Sequence, residues 1–337
     1  MTAVSMDDVT VFSACPPAGQ ENGSEYLRRV RQVAEWSDRA GCSGILIYAD
    51  NRTTDPWLVS QIILQNTANL SPLIAVQPVY MHPFSAAKMV ADLTYFYGRR
   101  IHLNIVAGGF KGDLLALGDT LEHDARYDRA SEYALIMKRL LTSRGPDTFE
   151  GEYFSVSGKL DSIPPTELAP RFLLSGSSAA GLAAARAVGA TAVSYPASPN
   201  QQVSASDGIP HGLRIGIISR DTAQEAWKTA HARFPEDRAG QISHRLAMGS
   251  SDSQWHEHLS GATDRSGAYW MRPFKNYKTF CPYLVGDHAT VGNEIKKYLT
   301  LGYKTLILDA PVEEKDLAHT NAALAVALNS LKSGAHE

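Results

Sequence analysis

The sequence predicts an α/β protein with a (β/α)8 TIM barrel and an irregular lid inserted after the seventh strand. Short apolar runs alternate with amphipathic segments along most of the chain. The unit at 73–106 has two apolar strands around a helix, as in a parallel sheet covered on both faces. Polar residues follow both strands, which is where barrel enzymes carry their chemistry. With 337 residues and 44% hydrophobic composition, the chain is long enough for one such domain over 1–337.

Each strand and helix has its own local signal. Apolar residues three and four positions apart predict the helices. Ser24 suits the N-cap of the first helix and Gly41 its end, while Pro56 suits the first turn of the second helix. Residues 149–161 alternate around a glycine and are expected to form an excursion outside the barrel repeat. The main helices are predicted at 25–40, 56–66, 126–143, 222–232 and 315–331, and the strands at 9–12, 44–47, 73–76, 101–106, 172–174, 191–194, 213–218 and 305–308.

The barrel pattern fails between Pro235 and Phe280, where the chain is polar and shows only local helical spacing. So long an irregular stretch in a compact domain is more often a functional lid than a plain connector. We therefore predict a lid at about 233–280. Its two histidines, His256 and His258, stand two apart in polar surroundings, and we expect no metal site there.

Composition excludes several classes of function. The net charge of −3 provides no electrostatic footprint for nucleic acid or for an anionic membrane. The three cysteines lack metal-ligand spacing and fit a reducing compartment. The N-terminal residues lack the basic and apolar regions of a signal peptide, and no apolar stretch approaches the length of a membrane span. We therefore expect a soluble cytoplasmic protein with a small-molecule substrate.

Three motifs are candidates for binding an anionic, planar ligand. Ser175-Gly176-Ser177-Ser178 stands between a strand and a helix, where N–H groups and the helix dipole favour phosphate. The same residues also fit an ordinary serine-capped helix start. Asn104 with Ala107-Gly108-Gly109 fits either a planar ring lying against the backbone or a tight turn. Tyr127 is predicted to begin a helix, as a ligand contact or as part of a capped surface helix.

Four cationic or titratable residues also have two interpretations each. Arg214 lies inside the apolar run 213–218, where a buried cation needs an anionic partner, either a ligand or a structural carboxylate. His82 either points into a pocket or forms a structural hydrogen bond. Lys275 and Lys278 in the predicted lid either close on an anion or remain solvated.

Three segments of the chain, taken together, resemble a known enzyme family. The segments GILIYADNRTTDPWLVS, LEHDARYDRASEY and LLSGSSAAG, in this order and spacing, resemble the bacterial-luciferase-like flavin monooxygenases. Within these, the chain is most similar to the alkanesulfonate monooxygenase branch. The resemblance implies a barrel enzyme that borrows reduced FMN from a separate NAD(P)H:flavin reductase and activates O₂. It also implies a homodimer or homotetramer.

The resemblance assigns roles only where residues match. It places Asn104 beside the flavin ring, with Ala107 where a threonine is common, and it places Arg214 at the sulfonate pocket. The pocket differs from that of the alkanesulfonate monooxygenase branch at three positions. Thr53 stands where that branch usually has cysteine, Gly216 where it has histidine, and Gln77 where it has arginine. The FMN phosphate is expected to bind Tyr127, Ser175, Gly176, Ser177 and Ser178. The catalytic candidates are Arg214, His82 and Thr53, and the substrate-binding candidates are Trp57, Gln77, Lys275 and Lys278.

Two alternatives remain open on the same scaffold. One is a deazaflavin-dependent oxidoreductase. The other is a flavin-binding protein without turnover, although the presence of the lid segment and of Arg214 argues against it. For the monooxygenase, the altered pocket fits a specialised biosynthetic intermediate as well as it fits an alkanesulfonate.

Overall fold

The computed structural model describes residues 9–19, 21–249 and 264–333. A short 3-10 helix spans Thr166–Leu168. The strands in this part of the chain are β1 (Thr10–Ala14), β2 (Gly44–Ile47), β3 (Ser71–Val76), β4 (His102–Val106), β5 (Asp147–Glu150), β6 (Ser155–Gly158), β7 (Phe172–Ser175), β8 (Thr191–Ser194), β9 (His211–Arg220), β10 (Arg265–Ser266), β11 (Tyr269–Trp270), β12 (Tyr283–Asp287) and β13 (Tyr303–Leu308). The helices are α1 (Gly23–Arg39), α2 (Pro56–Asn66), α3 (Pro83–Tyr97), α4 (Lys111–Ala116), α5 (His123–Thr142), α6 (Ala179–Val188), α7 (Ala223–Arg233), α8 (Arg238–Gly249), α9 (Arg272–Lys275), α10 (His288–Thr300) and α11 (Glu314–Ser333).

The fold is a (β/α)8 barrel, which confirms the predicted class. Its eight parallel strands are β1, β2, β3, β4, β7, β8, β9 and β13. The chain divides into two compact units, and we describe each by itself. The N-terminal unit comprises 15–38 and 43–193, and the C-terminal unit comprises 1–14, 39–42 and 194–337.

In the N-terminal unit, β2, β3, β4, β7 and β8 form a parallel sheet in this order. All six residues of β3 are buried, as expected for a strand with helices on one face and packed side chains on the other. Asn104 of β4 pairs with Leu173 of β7, and Val106 pairs with Ser175. This register brings the polar ends of β4 and β7 together. The antiparallel hairpin of β5 and β6 is the predicted excursion outside the repeat.

The C-terminal unit is organised around the long strand β9. Its first half, from His211 to Ile215, pairs with β13, and its second half, from Gly216 to Arg220, pairs with β12. β1 completes this sheet beside β13. The short antiparallel strands β10 and β11 extend it beyond β12.

Several local predictions differ from the structure. Ser24 lies inside α1 and is not its N-cap, because Asn22 Oδ1 accepts the hydrogen bond from Glu25 N over 3.0 Å. Tyr127 lies in the second turn of its helix, because α5 begins one turn earlier at His123 with Asp124 favouring its first turn. The polar connection after β4 contains the short helix α4. The strand β12 was missed because its five residues carry no alternation that separates them from a loop, and pairing with β9 stabilises them.

The described part of the segment 233–280 contains α8, the β10–β11 hairpin and α9. A lid role for this segment stays a prediction, and His256 and His258 lie outside the described residues. In the described part of the chain, no helix combines the length and the apolar character that crossing a bilayer requires.

Candidate functional site

The predicted flavin-ring contact and the predicted phosphate loop meet through one hydrogen bond. Ser175 Oγ, at the end of β7, donates to Asn104 Oδ1 on β4 over 2.9 Å. Asn104 is buried although its amide is polar, so this bond satisfies one of its acceptor positions. The bond also fixes the orientation of the amide, and Nδ2 is the group left to donate to a ligand.

Tyr127 packs against the glycine of the phosphate loop. Its hydroxyl donates to the Ser175 carbonyl oxygen over 3.3 Å. Gly176 has φ +156°, and a Cβ added there would lie 2.3 Å from the Tyr127 hydroxyl oxygen. Only glycine fits this position, because any side chain would collide with the tyrosine ring. Three of the predicted cofactor residues therefore form one contiguous surface.

The loop then enters α6 through a serine cap. Ser178 is the N-cap, and its Oγ accepts a hydrogen bond from Gly181 N over 3.1 Å. Ser178 therefore acts as the helix cap, which is one of the two roles expected for this loop. The capping bond is compatible with anion binding, because the other N–H groups of a first helical turn have no partner within the helix. Ser177 is exposed at this helix start.

A second tight approach follows β4. Gly108 has φ +93°, and an added Cβ would lie 3.0 Å from Gln77 Nε2 and 2.8 Å from a Leu114 methyl carbon. Ala107 and Gln77 are both buried. The predicted substrate residue Gln77 thus lies against the turn that follows the predicted flavin contact.

The other candidates in this unit lie at helix starts or in the loop just before one. Trp57 is buried in the first turn of α2, where Asp55 caps the helix by accepting from Trp57 N over 2.9 Å. Thr53 lies in the preceding loop, with its backbone N donating to the Asp50 carbonyl. His82 is exposed and caps α3 through Nδ1, which accepts from Phe84 N over 3.2 Å. His82 therefore forms the structural hydrogen bond that was one of its two expected roles. Its catalytic role stays a prediction.

In the C-terminal unit, Arg214 is held by a carboxylate. Its Nη2 donates to Asp309 Oδ1 over 3.0 Å, and the two side chains are only 6% and 16% exposed. Asp309 Oδ2 also accepts hydrogen bonds of 2.6 Å from Thr279 Oγ1 and from the Tyr283 hydroxyl. The buried cation therefore has the structural partner that its apolar strand requires.

Electrostatics in this cluster keep the tyrosine protonated. Burial, followed by the charge of Asp309, raises the pKa of Tyr283 well above its ordinary value of 10.0. Tyr283 therefore remains a hydrogen-bond donor at neutral pH. Sequence reasoning missed Thr279, Tyr283 and Asp309. Asp309 follows β13 directly, and its position at the carboxyl end of a barrel strand was a signal that could have identified it.

A small cavity lies beside the same residues. Its volume is about 30 Å³, and Ile217, Phe234, Tyr283, Asp309 and Pro311 are among the residues that line it. This volume accommodates a water molecule but is too small for an organic substrate.

The two predicted lid lysines are both paired. Lys275 Nζ lies 2.7 Å from Asp264 Oδ1, and Lys278 Nζ lies 2.7 Å from Asp237 Oδ2. The hydrogen bond from Lys278 lowers the pKa of Asp237. Binding of a substrate anion by either lysine stays a prediction, and it would require exchange of these carboxylate partners.

Comparison with known proteins identifies the family. The family model described as luciferase-like monooxygenase matches residues 6–305. The 4-(gamma-L-glutamylamino)butanoyl-[BtrI acyl-carrier protein] monooxygenase BtrO of Niallia circulans is 32% identical over 330 residues, which cover 94% of this chain and 96% of that protein.

Two solved structures share the fold. The oxygenating constituent of 3,6-diketocamphane monooxygenase from Pseudomonas putida, solved in complex with FMN, has a TM-score of 0.64 and 18% identity over 96% of both chains. An F420-dependent secondary alcohol dehydrogenase has a TM-score of 0.64 and 14% identity over 95% of this chain and 99% of its own. The fold therefore accommodates either cofactor, whereas the family match is to monooxygenases. The chain is a member of the luciferase-like monooxygenase family.

Proposed function

We propose that the protein is the oxygenase of a two-component, flavin-dependent monooxygenase. It would take reduced FMN from a separate NAD(P)H:flavin reductase and use O₂ to oxygenate a small-molecule substrate. The observation that carries this proposal is the joined surface of Asn104, Ser175, Gly176 and Tyr127. Family membership supports the oxygenation, and the surface supports the choice of flavin.

The residues of this surface fit FMN. The start of α6, with Ser177 exposed beside it, suits a terminal phosphate. Gly176 lets the Tyr127 ring pack directly against the loop backbone, because the ring occupies the space where a Cβ would lie. The chain lacks the glycine-rich fingerprint that dinucleotide-binding sites use for a pyrophosphate. A mononucleotide is therefore the better match.

The residues of the chain bind and orient the cofactor, while the cofactor itself supplies the redox chemistry. Electrons for the activation of O₂ come from the reduced flavin when it is bound. Asn104 Nδ2 would donate to a polar atom of the ring, because Ser175 holds the amide in a single orientation. Tyr127 and the loop at 175–178 would hold the phosphate end. The lid segment would exclude water from the reacting centre.

For the substrate, we propose a specialised biosynthetic intermediate rather than a simple alkanesulfonate. Asp309 already neutralises Arg214, so a sulfonate at this position would have to compete with a carboxylate. Thr53, Gln77 and Gly216 stand where the sulfonate enzymes carry cysteine, arginine and histidine. The relative BtrO acts on an acyl group attached to a carrier protein. An acyl intermediate, free or carrier-bound, is therefore the substrate class to test first.

The test is a reconstitution with defined components. The purified protein is supplied with FMN, NADH, a flavin reductase and O₂, together with either acyl thioesters or short alkanesulfonates. We expect mass spectrometry to show one added oxygen atom on an acyl substrate. Release of sulfite with inert thioesters would contradict the substrate class. Tight binding of F420 without affinity for FMN would contradict the cofactor, and flavin binding without oxygenation of any substrate would indicate a binding protein.

A further inference from the structure

Two histidines and an aspartate meet in the C-terminal unit, at residues that the proposed oxygenation does not use. His288 Nε2 lies 2.9 Å from His319 Nδ1, and the rings stack at 29° with centroids 5.1 Å apart. Asp221 Oδ1 lies 3.9 Å from His288 Nδ1. One ligand atom from each of the three residues lies within 4.8 Å of the other two. In the described part of the chain, no other group of three metal-ligating side chains is this close.

The fold explains why these residues converge. Arg220 at the end of β9 pairs with Asp287 at the end of β12, so the residues that follow them, Asp221 and His288, are neighbours. His288 begins α10, and His319 lies on α11, which packs along α10. Three separate elements therefore contribute one side chain each.

The local charges permit a bound cation. The positive charge of Arg220 acts on His319, but its Nη2 donates to Asp316 Oδ1 over 2.7 Å and its Nη1 donates to the Ser219 carbonyl. The negative charges of Asp221 and Glu225 also act on His319, which favours a cation beside it.

We propose that Asp221, His288 and His319 bind a divalent transition-metal ion of the zinc class. Two imidazole nitrogens and one carboxylate oxygen are ligands that such ions prefer, and water would complete the coordination. Two nitrogens on one zinc ion lie about 3.3 Å apart, so the histidine rings need to separate by only a few tenths of an ångström. The ion would replace the proton that the two rings share and would join the end of β9 to α10 and α11.

The experiment uses the full chain without an affinity tag, treated with a chelator and then titrated with Zn²⁺ against a chromogenic competitor. We expect one ion per chain and a Tm that rises with Zn²⁺. His319→Gln and His288→Gln should each weaken binding by about tenfold or more and reduce the Tm shift at a fixed Zn²⁺ concentration. Asp221→Asn, at an exposed position that tolerates substitution, should weaken binding without lowering the Tm of the metal-free protein.

Two control variants separate this site from adventitious binding. His211→Gln removes a histidine at the opposite end of β9 from Asp221, where it lies 2.7 Å from Asp207, and should leave Zn²⁺ affinity unchanged. The double variant His256→Gln/His258→Gln should also keep full affinity. Equal Zn²⁺ affinity in the wild type and His319→Gln, or no binding by the wild type, would overturn the proposal. His288 and His319 would then be joined only by a hydrogen bond between their imidazole rings.

Discussion

Arg214 Nη2 donates a 3.0 Å hydrogen bond to Asp309 Oδ1, and the two residues are 95 positions apart in the sequence. The bond joins the middle of β9 to the residue that follows β13. Ile307, two residues before Asp309, is the residue that pairs with Arg214 across these strands. A buried arginine in an apolar strand thus has a carboxylate partner at the carboxyl end of the neighbouring strand.

Loss of the Arg214 side chain should destabilise the protein. Arg214→Met leaves the Asp309 carboxylate largely buried without its cation, and we expect the free energy of unfolding to fall by about 2–4 kcal/mol. Arg214→Lys should cost less because it keeps the charge. Urea denaturation measures both variants. Arg39→Met removes an exposed ion pair with Glu314 and should cost less than about 1 kcal/mol.

The same variant also tests a direct role in substrate binding. If Arg214 holds the substrate as well as Asp309, kcat/KM of the folded Arg214→Met protein should fall by about 2–4 kcal/mol. Near-normal turnover in the folded fraction would leave Arg214 as a structural residue only.

Reduced FMN should bind at least about tenfold more tightly than reduced FAD, which corresponds to about 1.4 kcal/mol. The reason is that the loop at 175–178 and the start of α6 suit a single terminal phosphate. Anaerobic fluorescence titration measures both affinities, with riboflavin as the control that lacks the phosphate. Equal affinities for FMN and FAD would be inconsistent with this site.

The isolated protein should not oxidise NADH or NADPH in the presence of FMN. Its sequence shows no dinucleotide fingerprint, so reduced flavin has to come from a partner. Nicotinamide absorbance should stay constant until a flavin reductase is added. Sustained oxidation by the protein alone would rule out the two-component arrangement.

Gly176→Ala should weaken FMN binding by about tenfold or more. An alanine Cβ would meet the Tyr127 hydroxyl at 2.3 Å and would strain a backbone with φ +156°. Flavin titration at a temperature where both proteins are folded measures the effect. Gly189→Ala is the matched control, because Gly189 also has a positive φ, +66°, but lies at the opposite end of α6. It should cost stability and leave FMN affinity unchanged.

Asp316 should make stability depend on pH. Its burial raises the pKa, but hydrogen bonds and charge from Arg233 and a hydrogen bond from Arg220 outweigh burial, so the net pKa lies below the ordinary 3.8. A depressed folded-state pKa contributes stability that is fully present above pH 3.8 and is lost as the pH falls through the folded-state pKa.

Comparison with Asp316→Asn isolates this contribution. We expect the variant to be less stable than the wild type by about 3 kcal/mol or more at pH 7, because it leaves the buried Arg220 without its carboxylate and Arg233 with Glu313 alone. The difference should narrow below pH 3.8. Urea denaturation across this range measures it, and Glu25→Gln, at an exposed pair, should show no comparable change. If the difference in free energy of unfolding between the two proteins did not change with pH, the depressed pKa of Asp316 would be contradicted.

The sequence by itself determined the repeating strands and helices, because each depends on neighbours in the chain. The spacing of apolar residues placed β2, α2 and β8 at their observed bounds. Polar residues within or at the end of a predicted strand also singled out Asn104 and Ser175, since the carboxyl ends of parallel strands share one rim. Their mutual hydrogen bond required only that β4 and β7 be adjacent.

Only the tertiary structure decided which side chains are partners. The apolar strand around Arg214 shows that the cation needs an anion, but many carboxylates in the chain could satisfy it. Packing of β9 against β13 selects Asp309, and packing of α10 against α11 brings His288 to His319. The strand β12 likewise exists because β9 offers it hydrogen bonds. Local periodicity arises from near neighbours, whereas partners far apart in sequence are set by the register and packing of whole elements.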